Sequence, residues 1–243
     1  MKLRVFDSEQ DAASACAAHL AEAVRARPSA VLGLPTGRTP LNVYRELVAL
    51  ASRGALDLSR ASTFNLDEFF GIPPDDAGSF RSYMERHFFQ HVNLPREHIH
   101  FLDGSAQDAD AECARYDAEL AAAGGLDLVL LGIGGNGHIA FNEPGDSLLA
   151  PCHRVRLGRE TRQANAALFG DDATRVPLEA LTLGMAAILQ ARRVVLLAFG
   201  EGKAGAVSAM VRGPVTPRCP ASFLQLHRDV EVWLDPMASQ QTQ

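Results

Sequence analysis

The sequence lacks a long hydrophobic run and an excess of basic charge. None of its apolar segments approaches the roughly 20 residues that cross a membrane. The first seven residues, MKLRVFD, are interrupted by charged residues and do not lead into the apolar core of a signal peptide. We therefore expect a cytoplasmic protein that does not bind membranes. Lys plus Arg number 23 and Asp plus Glu number 29, which gives a formal net charge of −6. This acidic balance argues against sequence-independent binding of nucleic acid.

Cysteine is scarce, and no CxxC pair occurs. The four cysteines are Cys16, Cys113, Cys152 and Cys219. A chain of 243 residues is long enough to bury a core without disulfides, so we predict reduced thiols. Cys113 lies in a helical pattern and is expected in the core. Cys219 precedes Pro220 at an expected helix start, where we favour an inert small residue over a reactive thiolate.

Metal-ligand clusters are also missing. His87 and His91 have helical spacing, and His98 and His100 form an HxH pair. Neither pair is accompanied by a cluster of carboxylates or cysteines, which a protein metal site requires. We therefore predict no metal site.

Short apolar runs alternate with segments of helical spacing along the whole chain. Because the runs are continuously apolar, they favour a parallel sheet covered by helices on both faces. We found no internal repeat or interdomain linker, and predict one α/β domain over residues 1–243. The strands are expected at 3–6, 30–34, 63–66, 100–102, 126–131, 194–199 and 230–234. The helices are expected at 12–24, 41–50, 83–92, 109–120, 178–189 and 204–211.

Ligands of such sheets bind beyond the carboxyl ends of the strands, so the segment after each strand is informative. After the second predicted strand, Thr39 is the expected N-cap of a helix and Pro40 its first residue. Gly37 permits a tight turn there. The hydroxyls of Thr36 and Thr39, free backbone N–H groups and the Arg38 guanidinium can then converge on one anion. This segment predicts a phosphate site.

Two adjacent carboxylates follow the third predicted strand. Asp67 and Glu68 precede Phe69 and Phe70, and their side chains must point in different directions. One is expected to face the cleft and the other the scaffold. A carboxylate among apolar rings has a raised pKa and can act as a general base. The residues alone leave open that both are solvated acids of a loop.

A glycine-rich segment follows the fifth predicted strand. Gly132, Gly134 and Gly137 match the GxGxxG pattern of dinucleotide sites. That pattern should open a long helix, whereas Pro144 would end any helix almost at once. We therefore predict a turn and no nucleotide cofactor.

The same segment carries Asn136, His138 and Glu143. A histidine with a carboxylate in reach forms a proton-transfer pair that operates near neutral pH. We predict that the turn presents these three side chains to one place.

Lys203 follows the sixth predicted strand, at the start of a helix. A cation at that position opposes the helix dipole unless it meets an anion. We predict that Lys203 is a second phosphate contact.

Together these segments resemble the glucosamine-6-phosphate deaminase family. The matching motifs are TGRTP at 36–40, NLDE at 65–68, NGHIAFNEP at 136–144 and the loop at 202–203. They occur in the family's order and spacing, and further similarity at 111–113, 180–184 and 224–227 extends the resemblance to essentially the whole chain. NGHIAFNEP is the most specific motif, since related 6-phosphogluconolactonases carry an Asp-Gly-His-Thr pattern there and lack Asn-Glu-Pro.

The resemblance implies a three-layer, modified Rossmann-type fold with a mainly parallel central sheet. It implies conversion of glucosamine 6-phosphate and water to fructose 6-phosphate and ammonia, without a cofactor. It also implies that Asp67 moves the proton between C2 and C1, and that His138 opens the sugar ring with support from Asn136 and Glu143. The groups implied for the phosphate are Thr36, Gly37, Arg38, Thr39 and Lys203.

Two positions depart from the family pattern. Arg38 stands where the family usually has glycine, and Ala167, in the lid at 162–167, stands where it often has a phosphate-binding arginine. Either Arg38 replaces the missing lid charge or the substrate differs. Galactosamine 6-phosphate and 6-phosphogluconolactone are the alternative substrates, and a non-catalytic sugar-phosphate sensor is a third possibility. The chain ends earlier than allosteric hexameric members, so we expect a monomer or a simple homo-oligomer.

Overall fold

The structure is a computed structural model that describes residues 1–242. Its strands are β1 (Lys2–Val5), β2 (Val31–Leu34), β3 (Ser62–Asn65), β4 (Asp67–Phe69), β5 (Ile99–His100), β6 (Leu128–Gly132), β7 (His153–Arg156), β8 (Glu179–Thr182), β9 (Arg193–Ala198) and β10 (Val230–Leu234). Its α-helices are α1 (Glu9–Ala26), α2 (Arg38–Ser52), α3 (Phe80–His87), α4 (Ala109–Ala122), α5 (Arg159–Asn165), α6 (Met185–Gln190) and α7 (Ala204–Arg212). Within these residues, no helix combines the length and the apolarity that crossing a membrane requires.

Seven strands form one parallel sheet in the order β1-β10-β9-β6-β2-β3-β5. Alternate residues of its central strands enter two separate cores. In β6, Leu128 and Leu130 pack on the face that α1 and α2 cover, whereas Val129 and Leu131 pack against α4, α6 and α7. The sequence-based expectation of a three-layer α/β fold with a mainly parallel sheet is confirmed, and each of the seven predicted strands overlaps a strand of this sheet.

A second, three-stranded antiparallel sheet was not predicted. Its order is β4-β8-β7, and Asp67 of β4 pairs with Thr182 of β8. The helix expected at 178–189 is wrong over its first half, because β8 occupies that part and only the short α6 follows. These strands have three or four residues each, so their pairing depends on tertiary contacts more than on propensity.

The start of α2 also differs from the expectation. The helix begins at Arg38 and Gly37 is its N-cap, so Thr39 is inside the helix and does not cap it. Gly37 has a φ of 105°, which favours glycine and lets the chain turn sharply before the helix. No side-chain hydrogen bond caps this terminus among the described residues, which leaves the first N–H groups of α2 open to a ligand.

The four cysteines are free and buried. Cys113 packs in the core between α4 and the parallel sheet. Burial raises the pKa of the Cys219 thiol, with a hydrogen bond from the Ser222 backbone opposing the shift. Cys219 is therefore not a thiolate at neutral pH.

Candidate active site

A cavity of about 350 Å³ lies beyond the carboxyl ends of β2, β6 and β9. The loops after these three strands form much of its wall, β4 contributes a carboxylate and α5 forms another side. Seven of the nine site residues that the sequence predicted line the cavity. They are Thr36, Arg38, Thr39, Asp67, Asn136, His138 and Lys203. Gly37 and Glu143 do not line it, but Gly37 directly precedes the lining residue Arg38, and Glu143 accepts a hydrogen bond from the lining residue Asn136.

One end of the cavity is cationic. It holds Arg38 and Thr39 from the first turn of α2 and Lys203 from the turn that precedes α7. Burial lowers the pKa of Lys203, and the nearby charge of Arg38 lowers it further. Neither cation forms an ion pair with a carboxylate within residues 1–242. Two unneutralised cations at a helix N-terminus constitute an anion site of the kind that holds phosphate.

Two tyrosines hold the loop that enters α2, and the sequence reasoning missed this role. The hydroxyl of Tyr83 donates to the carbonyl of Gly37 at 2.7 Å. The hydroxyl of Tyr44 donates to the carbonyl of Pro35. The bond to Pro35 fixes a residue that lines the cavity, and the bond to Gly37 fixes the residue before Arg38. The only sequence signal was the apolar spacing of the two tyrosines in their helices, which does not reveal a hydroxyl partner.

Asp67 presents a buried carboxyl to the cavity. It is only 6% exposed, and no hydrogen-bond donor reaches its carboxyl oxygens among the described residues. Burial raises the pKa of Asp67 to about 8, and the neighbouring charge of Glu68 contributes to this shift. The ionised form of Asp67, which predominates only above this pKa, is strongly basic because it is neither solvated nor hydrogen-bonded, and this suits it to accept a proton from a bound ligand.

Glu68 points in the opposite direction, into the scaffold. Its Oε1 accepts from the backbone N–H groups of Phe69 at 2.8 Å and Phe80 at 2.9 Å, and its Oε2 from that of Arg81 at 2.9 Å. Burial raises the pKa of Glu68 to about 7, while these three donors oppose the shift. Since Phe80 and Arg81 are the first residues of α3, Glu68 ties β4 to the positive end of that helix. The interpretation of the pair as solvated loop acids is wrong, because both residues belong to a buried strand.

His138, Asn136 and Glu143 form a connected group on the glycine-rich turn. The Asn136 amide donates to Glu143 Oε2 at 3.0 Å, and its Oδ1 accepts from the backbone N–H of His138 at 3.1 Å. Glu143 Oε2 lies 3.9 Å from His138 Nδ1. Burial lowers the pKa of His138, Glu143 raises it and Lys203 lowers it. The imidazole is therefore neutral at pH 7 and able to accept a proton.

The glycines of this turn provide space for the imidazole and for the chain behind it. A Cβ on Gly134 would lie 2.3 Å from Cε1 and Nδ1 of His138. Gly137 has a φ of 88°, and a Cβ there would lie 2.8 Å from the sulfur of Cys219. No helix follows β6 before β7. The GxGxxG match therefore reflects tight packing, in agreement with the rejection of a dinucleotide site.

α5, which overlaps the segment at 162–167 that the resemblance identifies as a lid, forms another side of the cavity. α5 contributes Thr161, Ala164 and Asn165 to the lining, together with Glu160. Ala167 does not line the cavity and is exposed. Ala167, at the position where the resemblance leads us to expect a phosphate-binding arginine, is thus a small exposed side chain. Arg38, in contrast, lines the cavity.

Comparisons with known proteins identify the family of the chain. The family model described as glucosamine-6-phosphate isomerases/6-phosphogluconolactonase matches residues 7–233. Glucosamine-6-phosphate deaminase 1 of Giardia intestinalis is 47% identical over 93% of this chain and 85% of its own length. The glucosamine-6-phosphate deaminase of Halothermothrix orenii is 42% identical over 98% of this chain and 99% of its own.

Solved structures show the same fold. A monomeric glucosamine-6-phosphate deaminase superposes with a TM-score of 0.96 at 40% identity, covering 99% of this chain and 100% of its own. The 6-phosphogluconolactonase of Thermotoga maritima has a TM-score of 0.75 at 21% identity, over 96% of this chain and 98% of its own, and shares the fold alone. The chain therefore belongs to the family of glucosamine-6-phosphate isomerases and 6-phosphogluconolactonases.

Proposed function

We propose that the chain is a glucosamine-6-phosphate deaminase, which converts glucosamine 6-phosphate and water to fructose 6-phosphate and ammonia. The observation that carries the proposal is Asp67, a buried carboxyl that no donor within residues 1–242 reaches, in the same cavity as a neutral imidazole and two cations. The relatives at 40–47% identity are deaminases, which favours this activity over lactone hydrolysis.

The phosphate is proposed to bind at the cationic end of the cavity. Lys203 and Arg38 supply charge, and the hydroxyls of Thr36 and Thr39 and the first N–H groups of α2 supply hydrogen bonds. Gly37 contributes through its backbone conformation, which the hydroxyl of Tyr83 holds in place. Binding the phosphate at one end directs the sugar carbons towards Asp67 and His138.

Ring opening is proposed to use His138. The neutral imidazole takes the proton of the anomeric hydroxyl and returns a proton to the ring oxygen as the C1–O5 bond breaks. Glu143 stabilises the imidazolium that forms in between, because its carboxylate lies 3.9 Å from Nδ1. Asn136 holds Glu143 in that position. The product is an open-chain aldehyde with an amine on C2.

Isomerisation and deamination are proposed to use Asp67. In its ionised form the Asp67 carboxyl removes the proton from C2, while the protonated amine on C2 gives a proton to the C1 oxygen, which leaves an enolamine with a hydroxyl on C1. The same carboxyl then returns the C2 proton to C1. C1 then carries a hydroxymethyl group and C2 an imine. Water adds to the imine carbon, the C–N bond breaks and ammonia leaves, so that fructose 6-phosphate remains. These steps use the chain's own acid and base groups.

All the proposed groups come from one chain, between Thr36 and Lys203. We therefore propose that the chain acts as one catalytic domain and that a monomer is sufficient for activity. The 40% identical deaminase with the TM-score of 0.96 is itself described as monomeric. A phosphorylated sugar does not cross a lipid bilayer unaided, so the proposed substrate places the enzyme in the cytoplasm.

The decisive experiment compares three substrates with the purified protein. Release of ammonia and of the ketose phosphate is measured with glucosamine 6-phosphate and with its galacto epimer, and acid release is measured with 6-phosphogluconolactone. We expect the gluco compound to have the highest kcat/KM and the lactone not to be hydrolysed. A preference for the galacto epimer would change the assigned substrate, whereas the proposed isomerisation and deamination would remain the same. Lactone hydrolysis without ammonia release from either amino sugar would reject the proposal.

A further inference from the structure

Thr161 is a buried polar side chain to which the sequence motifs assign no role. It lies in α5, is 1% exposed and lines the cavity. Its hydroxyl oxygen lies 3.4 Å from Nδ1 of His138. Among the described residues, this is the only side-chain partner within hydrogen-bond distance of either the hydroxyl or the imidazole.

Glu143, the expected partner of the imidazole, is already engaged elsewhere. Its Oε1 accepts from the backbone N–H of Gly158 at 3.0 Å, and its Oε2 accepts from the Asn136 amide at 3.0 Å. Its nearest approach to His138 Nδ1 is 3.9 Å, which is too long for a hydrogen bond. Glu143 therefore influences the imidazole by charge, and direct contact is left to Thr161.

The ring is also confined on the side of the glycine-rich turn. It lies so close to the backbone of Gly134 that a Cβ there would overlap Cε1 and Nδ1. The hydroxyl of Thr161 and the backbone of Gly134 thus restrict the orientation of the same ring. With Nδ1 directed at Thr161 and Glu143, the second nitrogen, Nε2, is left for the substrate.

We propose that Thr161 is a positioning residue for His138, and that its hydroxyl oxygen accepts the proton of Nδ1 so that Nε2 remains free to act as a base. The inference rests on the ring-opening role proposed above for His138. The charge of Glu143 favours a proton on Nδ1, because a carboxylate at 3.9 Å attracts the N–H dipole. Thr161 provides the lone pair that holds this proton in one direction.

The position of Thr161 is itself secured by its neighbour in α5. The Arg162 guanidinium donates to the carbonyls of Ala173 at 2.7 Å and Val176 at 3.1 Å. These bonds anchor the helix to the segment that precedes β8. α5 consequently carries a side chain that lines the cavity and orients the ring-opening group.

Substitution at Thr161, with matched controls, tests the proposal. Thr161→Val keeps the branched shape and removes the hydroxyl, whereas Thr161→Ser keeps the hydroxyl and removes the methyl group. In the free protein, the imidazole ¹⁵N shifts of His138 report the tautomer directly. We expect a dominant Nδ1–H tautomer in the parent and in Thr161→Ser, and a mixture of tautomers in Thr161→Val. Thr161→Ala, checked by circular dichroism, replaces the valine variant if that variant does not fold.

Kinetics provide the second measurement. With glucosamine 6-phosphate we expect Thr161→Val to lower kcat about tenfold, the order expected for loss of one hydrogen bond to a group that becomes charged, and Thr161→Ser to stay within about threefold. A 4,5-dideoxy analogue cannot close either ring, so its turnover should be unchanged within about twofold in both variants.

Two results would overturn the proposal. One is an unchanged His138 tautomer in Thr161→Val, and the other is equal loss in Thr161→Val and Thr161→Ser, which indicates packing alone. If His138 itself proves dispensable for ring opening, the proposed function loses that step, but the NMR result still decides whether Thr161 orients the ring. Failure of the two proposals can therefore be distinguished.

Discussion

The seven-stranded parallel sheet and the three-stranded antiparallel sheet supply different kinds of group to one cavity. The segments that follow the strands of the parallel sheet carry Arg38, His138 and Lys203, all of which are at least partly accessible. The antiparallel sheet supplies Asp67, which is almost completely buried within a strand. Binding an anion requires accessible donors at helix N-termini, and loops at strand ends provide them. A strong base requires desolvation, and a strand paired on one side and packed against α3 provides it.

Removal of the buried carboxylate is the strongest test of this difference. We expect Asp67→Asn to lower kcat by about 10²–10⁴-fold, the range for loss of a positioned general base, because the amide keeps the shape and cannot take the C2 proton. Binding of the sugar phosphate should change by less than about tenfold, since the cationic end is intact. The measurements are ammonia release, titration with substrate, and exchange of the C2 proton with deuterated water. Retained C2 exchange in the variant would remove Asp67 from this role.

Substitution of His138 tests whether the segments after the parallel strands take part in catalysis as well as in substrate binding. We expect His138→Gln to slow turnover of glucosamine 6-phosphate by about 10²-fold, because ring opening loses its acid and base. The 4,5-dideoxy analogue, which bypasses ring opening, should lose less than about threefold. Steady-state kinetics with both substrates measure the ratio. Equal losses on the two substrates would instead assign His138 to binding or to the integrity of the turn.

Substitution of Arg38 tests whether the segment after β2 supplies much of the affinity for the phosphate. We expect Arg38→Gly to raise KM about 10- to 100-fold, corresponding to roughly 1.5–3 kcal/mol for a hydrogen bond to a charged group, with a small change in kcat. Arg38→Lys is the matched control, since lysine keeps the positive charge but lacks the planar guanidinium that donates two parallel hydrogen bonds. An arginine introduced at position 167 together with Arg38→Gly should recover part of the affinity. A KM unchanged within twofold would show that Lys203 and the backbone N–H groups suffice.

The smallest expected effect is on stability. Between the usual aspartate pKa of 3.8 and the raised value of about 8, folded Asp67 holds a proton that the unfolded chain has released. The free energy of unfolding therefore falls as the pH rises through that window, and Asp67→Asn removes this loss. We expect the variant to be more stable at pH 8 by about 1–3 kcal/mol, or roughly 2–12 °C in Tm, and little changed at pH 4.

Differential scanning calorimetry at the two pH values measures the stability difference. Asp75→Asn is the control, because Asp75 is exposed and its charge lies outside the cavity. An equal Tm change in both variants at pH 8 would mean that burial of the Asp67 carboxyl does not lower the free energy of unfolding.

Much of this description was accessible from the sequence. The seven strands of the parallel sheet were predicted because buried parallel strands are continuously apolar, and the polar segments after them were singled out because strand ends of one sheet lie at the same edge. The antiparallel sheet was not found. Its strands at Asp67 and Glu179 are too short for a periodic pattern, and Ala180 and Leu181 are as typical of a helix.

By itself the sequence determined the layered α/β fold, the edge of the sheet at which the site lies and the residue types that occur there. Only the tertiary structure decided that Asp67 faces the cavity while Glu68 faces α3, and that Thr161 meets His138. The physical reason is that a side chain's direction, its burial and hence its pKa depend on segments that are distant in the chain. Hydrophobic pattern is a local property, whereas desolvation and hydrogen-bond partners exist only after the segments have packed.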